Sequence, residues 1–264
     1  MQLTRKGKIS YFNPGWEKRG GVVAGFSTRN GGISRPPYNS LNLGMNTDDL
    51  PANVEGNRTT LARALGAGGE QLLTVSQVHG DDVLVIDSPN YDLRHFQRVE
   101  CDAIVCNQPD LLLAVLVADC YPVLLWDPQA KVVAAVHVGW KGAVARLLEK
   151  VVKTMRDQFG CHPDQLLAAV GPGIGGHLYQ VDRPVREAFV AAGHPWGSIS
   201  REQAASRWLL DLQRCCELQL ETVGVRIEST SRVEECTCCH RELLFSHRRD
   251  KGTTGRQAGF IMLT

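Results

Sequence analysis

Three residues combine reactive side chains with suggestive placement. His79 lies in Ser76-Gln77-Val78-His79-Gly80, Cys120 in Ala118-Asp119-Cys120, and His137 in Val136-His137-Val138-Gly139-Trp140. Each ends or follows a strand-like segment. Two imidazoles and one thiolate suit a tetrahedral Zn²⁺ with a fourth position left for water or substrate. Taken singly, a His beside an apolar strand is more often a hydrogen-bonded core residue, and a lone Cys a small hydrophobe. Shared placement at strand ends favours a common cleft. Asp119 invites a role in orienting a ligating His or moving a proton, against plain strand termination.

Other segments offer charge or backbone donors. Gly139-Trp140-Lys141-Gly142 opens a helix directly after His137, and N–H groups at a helix start favour an anion such as phosphate. Arg248 and Arg249, near the glycines of Gly252-Thr253-Thr254-Gly255-Arg256, suit a carboxylate or phosphate clamp as well as a solvated loop. The glycine-rich stretch 171–176 follows a strand but matches neither a Walker loop nor the dinucleotide fingerprint. Cys236-Thr237-Cys238-Cys239-His240 lacks a second ligand pair at suitable spacing, so packing and local thiols are expected there.

These residues need a scaffold. Residues 111–118, 122–126 and 132–138 are apolar and nearly without alternation, as in strands buried on both faces, with helices expected above and below the sheet. Residues 127–131 read as the turn of an antiparallel hairpin. Pairing Trp126 with Val132 would place Tyr121 opposite His137 and Cys120 at the same sheet end. Val144, Leu147, Leu148, Val151, Val152, Met155 and Phe159 mark one face of a long helix. Further strands are expected at 22–28, 72–75, 83–86, 103–106, 166–170, near 225–229 and at 260–263. Helices are expected at 53–65 (stopped by glycines 66, 68 and 69), 185–192 and 209–222, the last packing Cys215 and Cys216 into the core. The mixture implies an α+β fold, a single-domain α/β/α sandwich around a mixed sheet, over residues 1–264. Residues 1–21 read as an N-terminal extension or edge segment.

Composition narrows the class. The 264 residues carry 29 Lys+Arg against 28 Asp+Glu, a net +1 that leaves no overall footprint for nucleic acid or anionic membrane. With 43% hydrophobic and 22% charged residues the chain is an ordinary globular one. The longest apolar run is too short to span a bilayer and the N-terminus lacks a signal-peptide pattern, so a cytoplasmic protein is expected. Nine cysteines, an odd number, then read as thiols, ligands or a nucleophile.

Six separated motifs also resemble a known family from about residue 22 to the C-terminus. They are Phe26-Ser27-Thr28-Arg29-Asn30-Gly31-Gly32 with Ser40-Leu41-Asn42-Leu43-Gly44, then Gln77-Val78-His79-Gly80, Ala118-Asp119-Cys120, His137 to Gly142, Gly171-Pro172-Gly173-Ile174-Gly175, and Phe245 to Arg256. The family is that of laccase-like multicopper polyphenol oxidases, also named purine nucleoside phosphorylases and peptidoglycan editing factors. The resemblance implies a single α/β/α domain with a zinc site at His79, Cys120 and His137, copper being an alternative metal. Val138 and Lys141 stand where the family usually has Ala and Arg; Lys keeps the charge but lacks the bidentate fork.

The leading expectation, by resemblance, is a purine nucleoside enzyme. It would phosphorolyse adenosine, inosine and methylthioadenosine and deaminate adenosine, with His79, Cys120, His137 and Asp119 catalytic. Arg29, Lys141, Arg248 and Arg249 would hold the nucleoside or inorganic phosphate, in a monomer that binds neither nucleic acid nor membrane. One alternative is an amide hydrolase editing cytoplasmic UDP-MurNAc-amino acid precursors, with Cys120 as nucleophile. Another is a copper-dependent polyphenol oxidase, for which eight His and no His-x-His pair supply few arranged ligands. A binding module with structural His79, Cys120 and His137 is the plainest alternative.

Overall fold

The computed structural model describes residues 1–67, 72–89 and 92–264. The chain begins with β1 (Gln2–Lys6), β2 (Ile9–Asn13) and β3 (Val22–Ser27), followed by α1 (Pro51–Leu65), β4 (Leu72–Leu73), β5 (Val83–Ile86) and a short α2 (Leu93–Phe96). Next come β6 (Ala103–Cys106), β7 (Leu112–Val117), β8 (Tyr121–Asp127), β9 (Val132–Val138), α3 (Trp140–Val144), α4 (Leu147–Phe159) and β10 (Leu167–Val170). The rest holds β11 (Gln180–Asp182), α5 (Arg183–Ala191), α6 (Trp196–Ile199), β12 (Ser200–Ala204), β13 (Arg207–Leu210), α7 (Leu212–Thr222), β14 (Thr230–Arg232) and β15 (Gln257–Leu263).

The α+β class with mixed sheets is as expected, and the sheet layer is double. One six-stranded sheet has the order β1-β2-β3-β15-β7-β4, the other β14-β10-β8-β9-β6-β5. Phe26, Leu113, Val115 and Ile261 of the first pack on Ile104, Leu124, Trp126 and Ala135 of the second. That contact buries the inner faces, while helices cover the outer ones. Helix α1 lies over the first sheet through Leu61 and Leu65. Helix α4 lies over the second through Leu147, Leu148, Val151, Val152 and Met155, each contributing about 2 kcal/mol by burial. The apolar runs without alternation are therefore buried between a sheet and a helix layer. A small sheet, β11-β13-β12, lies outside both.

The β8–β9 hairpin forms, one residue out of the expected register. Trp126 pairs with Val133, so Pro122 and not Tyr121 faces His137. The turn sets this shift. Asp127 stays in the strand opposite Val132, its Oδ1 accepts the N–H groups of Gln129 and Ala130 at 2.9 Å, and Lys131 takes a left-handed φ of 54°.

Other expectations change for local reasons. The long helix is two: Arg146, at φ 58°, separates α3 from α4, and its guanidinium bonds Glu149 and the Ala192 carbonyl. Leu209 and Leu210 belong to β13, and Asp211 caps α7 by accepting the Arg214 N–H at 2.9 Å. Residues 227–229 form a 3-10 turn ahead of β14. Helix α1 ends on Gly66 at φ 90°, whereas glycines 68 and 69 lie outside the described residues. Cys215 and Cys216 are buried in α7 as expected. Among the described residues no helix is long and apolar enough to cross a membrane.

Candidate metal centre and active site

Strand ends and one carboxylate assemble the site. Cys120 immediately precedes β8, and His137 is the penultimate residue of the neighbouring β9. His79 comes from the loop between β4 and β5, at a left-handed φ of 59°. Asp102, immediately before β6, fixes two of the three. Its carboxylate accepts the N–H groups of Val78 at 3.2 Å, His79 at 3.1 Å and Gly80 at 2.6 Å. It also meets His137 Nδ1 at 2.6 Å, while its own carbonyl accepts the His137 N–H. With Nδ1 engaged by the carboxylate, His137 turns Nε2 toward the other ligand atoms.

The ligand atoms of His79, Cys120 and His137 lie within 4.8 Å of one another. Gly139 makes the approach possible, because a Cβ there would stand 3.0 Å from the His79 ring and 3.3 Å from Cys120 Sγ. Two imidazoles and a thiol, one His backed by a buried carboxylate, form a donor set that fits Zn²⁺ or another borderline-soft cation.

Electrostatics within the trio are strong. Burial alone would raise the Cys120 thiol, but the His137 charge and hydrogen bonds from both histidines hold it at about 6. Burial alone would lower His137; the Cys120 charge and the Asp102 hydrogen bond raise it to about 9. Asp102 itself would be raised by burial and is held below the usual carboxylate range by His137 and the Gly80 and Val78 N–H groups. Without metal, these opposed shifts favour a thiolate on Cys120 beside an imidazolium on His137 near neutral pH.

The trio opens into a cavity of about 630 Å³ lined also by Trp140, Tyr179, Arg58, Arg248 and Arg256. Arg58 donates Nε–H to the Leu43 carbonyl, and burial lowers it to about 10. Arg256 donates to the Thr254 and Gly255 carbonyls and is also lowered by burial, against the charges of Cys120 and Asp119. Among the described residues neither guanidinium has a carboxylate at ion-pairing distance.

Several sequence-based expectations shift accordingly. Asp119 does not orient either histidine; Asp102 does. The Asp119 carboxylate lines the cavity and accepts the Thr237 hydroxyl and the Arg248 N–H, each at 2.6 Å. Arg248 reaches the cavity with its guanidinium over Tyr179 and on the Gln180 carbonyl. Arg29 points elsewhere, spending its donors on Asn39 and the Arg241 carbonyl beneath Phe245. Arg249 is likewise a brace, bonding Asp250 and the Thr237 and Leu244 carbonyls. Lys141 lies outside the cavity lining with its ammonium near the Trp140 ring. The five-residue α3 gives little of the anion site expected from a long helix.

Sequence reasoning passed over Asp102, Arg58 and Arg256. Asp102 carried one signal, a carboxylate abutting the wholly apolar strand 103–106. Arg256 stood inside a quoted motif, and Arg58 resembled any arginine on a helix face. Spacing alone gives the cysteine cluster no partner segment; in the fold His177, from the loop after β10, lies within 4.8 Å of the sulfurs of Cys236 and Cys239.

Comparison with known proteins agrees along nearly the whole chain. A family model described as multi-copper polyphenol oxidoreductase laccase matches residues 23–264. The chain is 40% identical over 250 residues to a protein of Escherichia coli named purine nucleoside phosphorylase YfiH, covering 95% of this chain and 97% of that one. It is 41% identical over 245 residues to purine nucleoside phosphorylase SCO2081 of Streptomyces coelicolor, covering 92% and 96%. The crystal structure of YlmD from Geobacillus stearothermophilus superposes with a TM-score of 0.90 at 31% identity, covering 99% and 98%. The chain therefore belongs to the multi-copper polyphenol oxidoreductase laccase family, alongside proteins named purine nucleoside phosphorylases.

Proposed function

We propose that the chain is a zinc-dependent purine nucleoside phosphorylase acting on adenosine, inosine and methylthioadenosine, with adenosine deamination as a second reaction of the same site. The observation that carries this reading is the pair of half-buried guanidiniums, Arg58 and Arg256, lining the His79–Cys120–His137 cavity with no carboxylate at ion-pairing distance among the described residues. Cations drawn part-way out of water ordinarily find a counter-charge, so two without one facing the same cavity favour a bound anion. Inorganic phosphate matches their planar donor forks. Trp140 and Tyr179 offer ring faces for a purine.

In phosphorolysis a phosphate oxygen forms a bond to ribose C1′ as the C1′–N9 bond breaks, and the electron pair leaves with the purine. Arg58 and Arg256 hold the phosphate and Arg248 covers Tyr179 at the mouth. Asp102 keeps His137 and the His79 loop in position throughout. Zinc held by His79, Cys120 and His137 would supply a Lewis acid beside the reacting atoms; copper is the alternative occupant.

The test is release of free base and ribose 1-phosphate from adenosine and inosine by zinc-loaded protein. Release should require phosphate and vanish in Cys120→Ala. Arg256→Met should raise the phosphate KM roughly tenfold or more, with a much smaller change in nucleoside KM. Zinc-loaded protein that releases no base with phosphate present would overturn the reading.

One arrangement favours amide hydrolysis as the second reading. Asp102, His137 and Cys120 stand in the order of an orienting acid, a base and a thiol nucleophile. Release of the amino acid from a UDP-MurNAc-amino acid precursor by metal-free protein would favour it.

A further inference from the structure

We propose that His177, Cys236 and Cys239 form a second metal site, for a thiophilic cation of the zinc class, separate from the His79–Cys120–His137 centre. A ring nitrogen of His177 and the sulfurs of Cys236 and Cys239 lie within 4.8 Å of one another, with His177 Nε2 at 3.4 Å from Cys239 Sγ. Two thiolates and an imidazole select soft or borderline cations over Mg²⁺ or Ca²⁺.

The backbone builds this cluster from two segments. Cys236-Thr237-Cys238-Cys239 is a Cys-x-x-Cys turn, closed by the Cys239 and His240 N–H groups on the Cys236 carbonyl at 3.1 Å and 3.0 Å. Both outer thiols thus come to one side, and Thr237 between them bonds Asp119. The second segment is the loop after β10. Its Gly175 N–H donates to Cys236 Sγ at 3.1 Å, the kind of donor that steadies a metal-bound sulfur. A Cβ on Gly175 would stand 2.6 Å from His177 Cε1 and 3.3 Å from Cys236 Sγ, so only glycine lets ring and sulfur close on this loop.

Cys236 is buried while His177 and Cys239 are exposed, which leaves an open side. His177 and Cys236 also line a cavity of about 490 Å³ whose wall includes Asp211, Glu234 and Glu235, acidic side chains whose charge favours a cation nearby. A cation here would tie the 171–177 loop to the 236–240 turn. Thr237 and Ile174, one from each segment, both bond Asp119 beside Cys120. The site would therefore act as a clasp behind the first centre, without touching substrate.

The experiment is titration of metal-free, fully reduced protein with Co²⁺ alone, reading stoichiometry and thiolate-to-cobalt charge-transfer absorption. Wild type should bind two equivalents. Cys120→Ser should retain one, with the intensity of two thiolates; Cys239→Ser should lose roughly half or more of that intensity. His177→Ala alters no thiol at an exposed position, and should weaken the second equivalent by about tenfold or more. The proposal is overturned if Cys120→Ser takes up no Co²⁺, or if Cys239→Ser keeps the wild-type stoichiometry and spectrum. It is equally overturned if Cys236 and Cys239 stay disulfide-bonded under mild reductant and bind nothing, which would make them a redox pair.

Discussion

At the residue scale, Asp102 carries more of the site than any ligand. It accepts from three successive backbone N–H groups and from His137 while wholly buried. Asp102→Asn keeps the volume but places an amide donor against those N–H groups. Stability should fall by about 3 kcal/mol, the scale of breaking a buried charged network, as read from urea unfolding. Metal affinity should fall with it. Cys120 offers a test by pH. Its thiol sits at about 6 against an ordinary 9.0, so in metal-free protein its alkylation by iodoacetamide should persist near neutrality and fall as pH drops through about 6. Cys239, though exposed, is raised by partial desolvation and by Cys236 and should react mainly at alkaline pH, and peptide mapping separates the two. The linkage has two signs. The Cys120 share of stability is lost as pH falls from 9.0 toward 6, and the His137 share as pH rises from 6.5 through about 9, so across that window the two changes largely offset each other. The three candidate ligands were legible in sequence as a group because each ends or follows a strand-like segment. Asp102 was not, because its role depends on which strand pairs with β9.

At the element scale, strands were easier to read than turns. Strands β8, β9 and β10 declare themselves by unbroken apolar runs, whereas the hairpin register depends on how Asp127 caps four turn residues. The break between α3 and α4 was hidden for the same kind of reason. The apolar period continues through Arg146, and only the backbone there turns left-handed. The turn can be improved. Lys131 is exposed at φ 54°, a conformation glycine adopts without the Cβ penalty. Lys131→Gly should raise stability slightly, by up to about 1 kcal/mol, readable as a higher urea midpoint with unchanged slope.

At the scale of the whole molecule, the doubled sheet layer was the least legible feature. An apolar strand face looks the same in sequence whether a helix or a second sheet covers it. Leu124 is fully buried between the sheets. Leu124→Ala should cost about 3 kcal/mol through lost transfer energy and a cavity that two stiff sheets close poorly, again measured in urea. If one helix-covered sheet were the true arrangement, Leu124 would gain nothing from Phe26 and Leu113, and double mutants with either would be additive.

The strands that end the two large sheets also bear on self-association. The first sheet ends on β4, two residues long, and on β1, which carries Arg5 and Lys6. The second ends on β14 and β5, three and four residues long. Short or positively charged borders offer little unpaired backbone for another chain to zip onto. A protein that keeps nine unbridged cysteines and long apolar strands at its centre thereby guards its periphery against templated aggregation.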